Sequence, residues 1–176
     1  MRKKLVIWLF EISKNIYTKF FKRNHIPWSV NVSELKTYPI QSFGYVLGDF
    51  LQLNNFELIP KVERHDAYHV ITQYGTTVEE EIGLQFLCMG NGKKSLYMYG
   101  AIILGTAILP EYLNFYIASY KLGKQANSFH QFEYKNLLET NYEELRNMIF
   151  SIEDRATIAN ELHSLHQRTQ TYYANI

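Results

Sequence analysis

The chain has 176 residues, a formal net charge of +1, 47% apolar and 15% aromatic side chains, and one cysteine. That size supports a single domain with a full hydrophobic core, the composition excludes a disordered chain, and one cysteine excludes an internal disulfide framework. The near-neutral total hides an asymmetry: residues 1–23 carry seven basic groups against Glu11 alone, net +6, leaving −5 on the other 153 residues and no general basic field for nucleic acid.

Arg2-Lys3-Lys4 followed by the apolar run Leu5–Phe10 imitates a signal peptide, but the run is short, closes at Glu11 and meets no small-residue cleavage site. Leu5, Leu9, Ile12, Ile16 and Phe20 fall on one helical stripe, with Trp8 and Phe21 beside it and lysines elsewhere. That is the layout of a basic amphipathic helix lying in a membrane interface, the expectation for residues 1–23; packing on the domain or exchange in a dimer is the alternative. Residues 24–150 read as the helical domain and 151–176 as a helical tail.

Pro27 and Pro39 break the start of that domain into a connection with one short turn, and Ile40–Leu53 then reads as a helix ending at Asn54-Asn55. Pro60 suits the first turn of the next helix, which stops at Gly75. Thr76-Thr77-Val78-Glu79 reads as a capping box opening a helix to about Met89, so the two helices form an αα-hairpin turning at Tyr74–Thr76. Cys88 lies in the apolar run Leu84–Met89 and reads as a small core hydrophobe. Leu96–Leu109, fourteen residues without a charge, is too short to span a bilayer and reads as a buried core helix, with Gly100 and Gly105 spaced as a close-packing notch. Pro110 ends it and begins Glu111–Leu122, closed by Gly123. Further helices start near Asn141 and, behind a Ser151–Asp154 cap, along the stripe Ile158, Leu162, Leu165. Period-2 alternation with hairpin signals is missing, so the expected fold is all-α: one compact multi-helix domain.

The chemistry concentrates in the hairpin. His65 and His69 are four apart, which brings both imidazoles to one helical face. Asp66 lies about 100° around from His65, at the edge of that face or in reach of an imidazole N–H. Eleven residues after His69, Glu81 returns on the next helix, beside the histidine turn. Imidazoles and carboxylates are ligands for zinc or another divalent cation with a coordination position left for water or substrate. A histidine pair without metal is the other reading of the spacing. Glu79 is explained by capping and Glu80 by solvent exposure; solvated or capping roles are expected for His25, His130, His163 and His166.

The run Arg64-His65-Asp66-Ala67-Tyr68-His69-Val70-Ile71-Thr72-Gln73-Tyr74-Gly75-Thr76, then Glu81-Ile82-Gly83, resembles the HDxxH, eleven residues, E signature of the fourth Coq protein of coenzyme Q (ubiquinone) biosynthesis. Ser42-Phe43-Gly44 to Asn55, Tyr120-Lys121-Leu122-Gly123-Lys124-Gln125-Ala126 and Tyr142-Glu143-Glu144-Leu145-Arg146 are similar to its other helices, so the likeness covers about residues 40–150. The resemblance implies an all-helical protein with a divalent metal, zinc first, held by His65, Asp66, His69 and Glu81. It implies a groove for an isoprenoid tail, which Tyr97, Met98 and Tyr99 could line, and a peripheral membrane position. The implied activity is oxidative decarboxylation at ring carbon 1 of a prenylated hydroxybenzoate, or scaffolding of the coenzyme Q biosynthetic proteins. The alternative is a non-catalytic isoprenoid- or quinone-binding scaffold with a structural metal. Glu11 and the scarcity of serine are unlike a transit peptide, so the expected place is the cytoplasmic side of a bacterial inner membrane; a homo-oligomer is also among the expectations.

Overall fold

Side-chain caps open several helices of this protein, whose computed structural model describes residues 2–5, 8, 27–59 and 62–174. Asn31 and Glu34 cap α1 (Val32–Leu35) reciprocally. Ser42 caps α2 (Phe43–Leu53), and the next free amides, Phe43 and Gly44, donate to the carbonyls of Thr140 and Leu138, both at 2.8 Å. This accounts for three N–H groups, those of Phe43, Gly44 and Tyr45, that a helix start otherwise leaves unpaired. The remaining helices are α3 (Glu63–Thr72), α4 (Val78–Gly90), α5 (Leu96–Ile108), α6 (Leu113–Gln125), α7 (Tyr142–Ile149) and α8 (Ile152–Ala174), with 3₁₀ turns at Pro110–Tyr112 and Tyr134–Leu137. No strand occurs among the described residues, only an isolated bridge between Ser42 and Asn141. The fold is all-α, with the histidine and glutamate motif on the α3–α4 hairpin.

Two glycines decide how α4 sits on α6, its main packing partner. A Cβ at Gly90 would run into the carbonyl oxygen of Tyr120, and one at Gly123 into that of Leu87. Gly123 therefore lies inside α6 as a contact point and does not close the helix at Leu122; α6 continues to Gln125 because backbone approach, not chain reversal, is what the glycine provides here. Beyond the crossing, the Asn91 amide donates to the carbonyls of Gly123 and Asn127, both at 3.1 Å, while its oxygen accepts from the amides of Phe129 (2.9 Å) and His130 (3.2 Å). One buried side chain thus pins the α6–α7 connection to the end of α4.

The C-terminus of α3 is held from α7. Tyr142 donates its hydroxyl to the Val70 carbonyl at 2.8 Å and the Arg146 guanidinium donates to the Ile71 carbonyl at 3.0 Å, covering carbonyls the helix leaves unpaired. Gln73 then turns the chain in the left-handed conformation, φ 61°. Ser151 and Asp154 cap the start of α8 reciprocally, and Ile158, Leu162 and Leu165 are buried as the stripe predicts.

Several boundaries differ from expectation. The capping residue of α4 is Thr77, not Thr76; Thr76–Glu79 and Thr77–Glu80 carry the same spacing, and the second pair forms the contact, Thr77 Oγ1 to Glu80 Oε2 at 2.6 Å. The Leu96–Leu109 segment is only half core: Met98, Ala101, Ile102 and Gly105 are buried, whereas Leu96 (72%), Ile103 (67%) and Leu104 (48%) are exposed. Gly105 packs against Ile82, but Gly100 faces open space, so half of the expected notch is used. In the N-terminal segment, residues 2–5 and 8 are helical with Leu5 and Trp8 exposed; Leu9, Ile12, Ile16 and Phe20, and also Pro60 and His25, lie outside the described residues. Among the described residues no single helix is long and apolar enough to cross a membrane.

Candidate metal centre

His69 is the buried wall of the site. It lies in the last full turn of α3, its ring stacks on Phe50 of α2 with centroids 5.6 Å apart and planes at 15°, and its Nδ1–H donates to the Tyr74 carbonyl at 3.0 Å. That bond places the ring proton on Nδ1 and leaves the Nε2 lone pair facing the hairpin interior. His65, one turn earlier, brings its Nε2 to 3.2 Å from that atom. Glu81, from the first turn of α4, completes the group with Oε2 at 3.1 Å from His65 Nε2 and Oε1 at 3.2 Å from His69 Nε2.

The donor set fits a cation. Donors about 2.0–2.1 Å from a tetrahedral zinc stand about 3.3–3.4 Å apart, close to the separations found here. Two imidazole nitrogens meeting head-on need either a shared proton or a common electrophile, and a carboxylate beside both suits the second. His69 is 2% exposed at its side chain, whereas His65 and Glu81 are 26% and 23% exposed, so the group is closed behind His69 and open between the other two. An open side is what a metal needs to keep a position for water or substrate.

Electrostatics follow from the same contacts. Burial alone would raise the Glu81 carboxyl, but the charges and hydrogen bonds of His65 and His69 hold it far below the usual carboxylate range. Burial lowers the proton affinity of His65 and prevails over Glu81, with His69 and Lys93 pushing the same way. In His69 burial is outweighed by the Glu81 carboxylate, the Tyr74 carbonyl and the charge of Asp66, and the net shift is upward. Lys93, just beyond α4, extends its ammonium over the Tyr68 ring, 4.7 Å from the centroid, and adds positive charge on the His65 side.

Of the four residues the sequence proposes, the structure brings His65, His69 and Glu81 together, with ligand atoms within 4.8 Å of one another. Asp66 is half-buried on the same helix and its charge reaches His69, but it adds no atom to that group. Glu80 is not a solvated side chain and Glu79 is not a cap: both are buried, Glu80 accepting from Gly75 N, Thr77 Oγ1 and His166 Nε2, and Glu79 from Lys3 Nζ at 2.8 Å. His166 is correspondingly a partner of Glu80, and His130 bonds to Asn91. Cys88 is fully buried, and burial pushes its thiol up to about 11, as a core hydrophobe requires. Phe50, Tyr74 and Lys93 carry no sequence signal of a role here; only the helical pattern that buries Phe50 hinted at its place.

The comparisons with known proteins point the same way. A family model described as "Coenzyme Q (ubiquinone) biosynthesis protein Coq4" matches residues 58–154, a span holding the whole hairpin and both glycines of the α4–α6 crossing. Among solved structures, a proposed ubiquinone biosynthesis protein from Nostoc punctiforme PCC 73102 superposes with a TM-score of 0.58 at 17% identity, covering 84% of this chain and 80% of that one, which is a likeness of fold. No curated protein matches the chain. The family match spans more than half of the residues and contains the three converging ligands, and the chain therefore belongs to the Coq4 family of coenzyme Q (ubiquinone) biosynthesis proteins.

Proposed function

We propose that this member of the family acts on a prenylated 4-hydroxybenzoate, with a divalent cation, zinc by donor preference, held by His65, His69 and Glu81. The observation that carries the reading is the convergence of two imidazole nitrogens 3.2 Å apart on the Glu81 carboxylate, whose Oε2 stands 3.1 Å from His65 Nε2 and Oε1 3.2 Å from His69 Nε2, shut behind His69 and open between His65 and Glu81. The proposed reaction exchanges the ring carboxyl for a hydroxyl. With water as oxygen donor, carbon dioxide, two protons and two electrons are released, and a separate two-electron acceptor takes the electrons. A cation bound there would supply Lewis acidity for a phenol–carboxylate head group and stabilise charge as carbon dioxide leaves.

The chain's own residues prepare the site for this. The Tyr74 carbonyl holds the His69 proton on Nδ1, and Phe50 keeps water from that ring. The Lys93 ammonium gives the His65 side a positive charge suited to a carboxylate. Asp66 is assigned an outer role, tuning His69 by its charge. The exposed apolar residues Leu96, Ile103 and Leu104 of α5, with Leu113 and Ile117 of α6, offer a surface for an isoprenoid tail at a membrane face. The proposed place is the cytoplasmic side of a bacterial inner membrane, among other coenzyme Q biosynthetic proteins. The same apolar surface favours a second reading, a non-catalytic lipid-binding scaffold whose metal is structural.

The test is metal analysis of wild type, His69→Ala and Glu81→Ala, followed by release of labelled carbon dioxide from a carboxyl-labelled prenylated hydroxybenzoate with a two-electron acceptor present. About one metal per chain, with release that both variants lose, supports catalysis. Metal-loaded wild type that binds the prenylated lipid and releases nothing above His69→Ala refutes catalysis and leaves the scaffold.

A further inference from the structure

We propose that the C-terminal helix α8 sets the geometry of the metal centre through His166 and Glu80, which are positioning residues for His69. The inference rests on the metal reading above. It concerns a part of the chain beyond the family match, since that match ends at residue 154 and α8 runs over Ile152–Ala174.

The links form a continuous series of hydrogen bonds. His166 Nε2 stands 3.1 Å from Glu80 Oε1. The same oxygen accepts from the Gly75 amide at 3.1 Å, and Oε2 accepts from Thr77 Oγ1 at 2.6 Å. Glu80 therefore grips the middle and the far end of the turn between α3 and α4. Its carboxylate lies directly on Gly75, where a Cβ would stand 2.8 Å from Oε2 and 2.9 Å from Oε1. Between Gln73, which turns the chain at φ 61°, and Gly75 sits Tyr74, whose carbonyl receives the His69 Nδ1–H. Tyr74 is tied on its other side by its hydroxyl, which donates to Ser119 Oγ of α6 at 2.8 Å. The carbonyl that fixes the His69 tautomer is thus held between α6 and the Glu80–His166 pair.

A purely local capping role for Glu80 would need only Thr77 and Gly75. What α8 adds is a donor from outside the hairpin to a carboxylate that is 2% exposed. Buried Ile158 and Leu165 anchor the helix, and Thr169 Oγ1 approaches the neighbouring Glu79 Oε1 at 3.4 Å, so α8 meets the first turn of α4 at two consecutive glutamates. Glu81, the next residue, is the metal ligand. One helical turn carries the ligand on one side and the grip of α8 on the other.

Groups that orient a ligating imidazole typically change metal affinity by about 10–100-fold when removed, and a loss near the lower end of that range is expected for His166, which reaches the His69 ring through the bonds of Glu80 and the Tyr74–Gly75 peptide. The experiment compares wild type, His166→Ala, His166→Gln and Glu80→Gln in the full chain. Readouts are Co²⁺ affinity by competition, the Co²⁺ d–d absorption, and the ¹⁵N shifts of the His69 ring, with far-UV circular dichroism to confirm folding. His166→Ala is expected to stay helical, bind Co²⁺ about tenfold more weakly, and show an altered d–d band with a weakened Nδ1–H signal. His166→Gln, which restores a donor, is expected to recover most of each. Folded His166→Ala and Glu80→Gln variants with wild-type Co²⁺ affinity, band and ¹⁵N shifts would overturn the positioning role while leaving the metal reading intact. Wild type that takes up neither Co²⁺ nor Zn²⁺ would overturn the metal reading, and an unchanged Nδ1–H signal in His166→Ala would then overturn the positioning role separately.

Discussion

Substituting alanine for glycine at two helical positions should move stability in opposite directions. Gly123 and Gly100 are both inside α-helices, so each substitution gains helix propensity of about 0.8–1 kcal/mol. At Gly100 nothing lies within 4 Å of the added carbon, and that gain stands alone. At Gly123 the carbon meets the Leu87 carbonyl oxygen, with the carbonyl carbon at 2.9 Å and the Asn91 amide nitrogen at 3.0 Å. All three contacts are backbone, so no rotamer change relieves them, and α4 must separate from α6. Overpacking of this kind costs about 1–3 kcal/mol or somewhat more, and we expect the upper end because the shift also strains the Asn91 bonds just beyond the crossing. Net of propensity, Gly123→Ala should lose about 2–3 kcal/mol and Gly100→Ala should gain up to about 1 kcal/mol. For a chain of this size that is a midpoint drop of about 4–12 °C against a rise of a few degrees, read by thermal and urea unfolding. Equal or same-sign shifts in the two variants would refute the packing argument. Because α4 carries Glu81, Gly123→Ala should also weaken metal binding.

Other expectations follow from individual contacts. Replacing Asn91 by leucine removes the partners of two buried carbonyls and two amides, so a loss of about 2–4 kcal/mol is expected in urea unfolding, and a change under about 1 kcal/mol would show that water replaces it fully. Lys93→Ala should leave metal content unchanged and raise the KM for a carboxylate-bearing substrate with little change in kcat; an unchanged KM would remove Lys93 from substrate recognition. In the metal-free protein the carboxyl of Glu81 is held far below its ordinary value of 4.5, so its contribution to stability is present above that value and is lost as pH falls below it. The gap between apo wild type and Glu81→Gln should therefore be full at neutral pH and close in acid, and a gap that widens on acidification would reverse the assigned sign. Metal uptake should likewise weaken as pH falls through the imidazole range, because both histidines must be neutral to bind.

What could be read from the chain divides by range. His65, His69 and Glu81 were legible because helical periodicity and the length of a tight turn are local rules, and the turn at Gln73–Thr77 obeys them. The shift of the α4 cap from Thr76 to Thr77 was not, since Thr76–Glu79 and Thr77–Glu80 share one pattern and only tertiary partners choose between them. The burial of Glu79 and Glu80 was hidden for a related reason. A carboxylate is written as solvent-facing unless its partners are known, and apart from Gly75 and Thr77, which bond Glu80 locally, those partners are Lys3, His166 and Thr169, 76 to 90 residues away. Gly123 misled because glycine ends helices through its backbone freedom and joins them through its missing side chain, and sequence position alone does not distinguish the two. The exposed side of α5 escaped notice because a helix that is apolar all round shows no preferred face.

Metal removal separates the catalytic from the structural reading. A structural zinc site couples to folding, so its removal unfolds the domain. Here the elements around the site are held by contacts that need no ion: Tyr142 and Arg146 on the end of α3, Gly90 and Gly123 between α4 and α6, Asn91 beneath the following loop, and Phe50 against His69. The apoprotein should therefore keep its helical circular dichroism and a cooperative melt. Free metal at about a hundred times its Kd should add only about 2.7 kcal/mol, a midpoint rise of roughly 5–11 °C, which Glu81→Ala should lose. Chelation that collapses the helical signal would instead show that the hairpin depends on the ion for its fold, and the proposal of a catalytic centre with an open face would give way to the structural one.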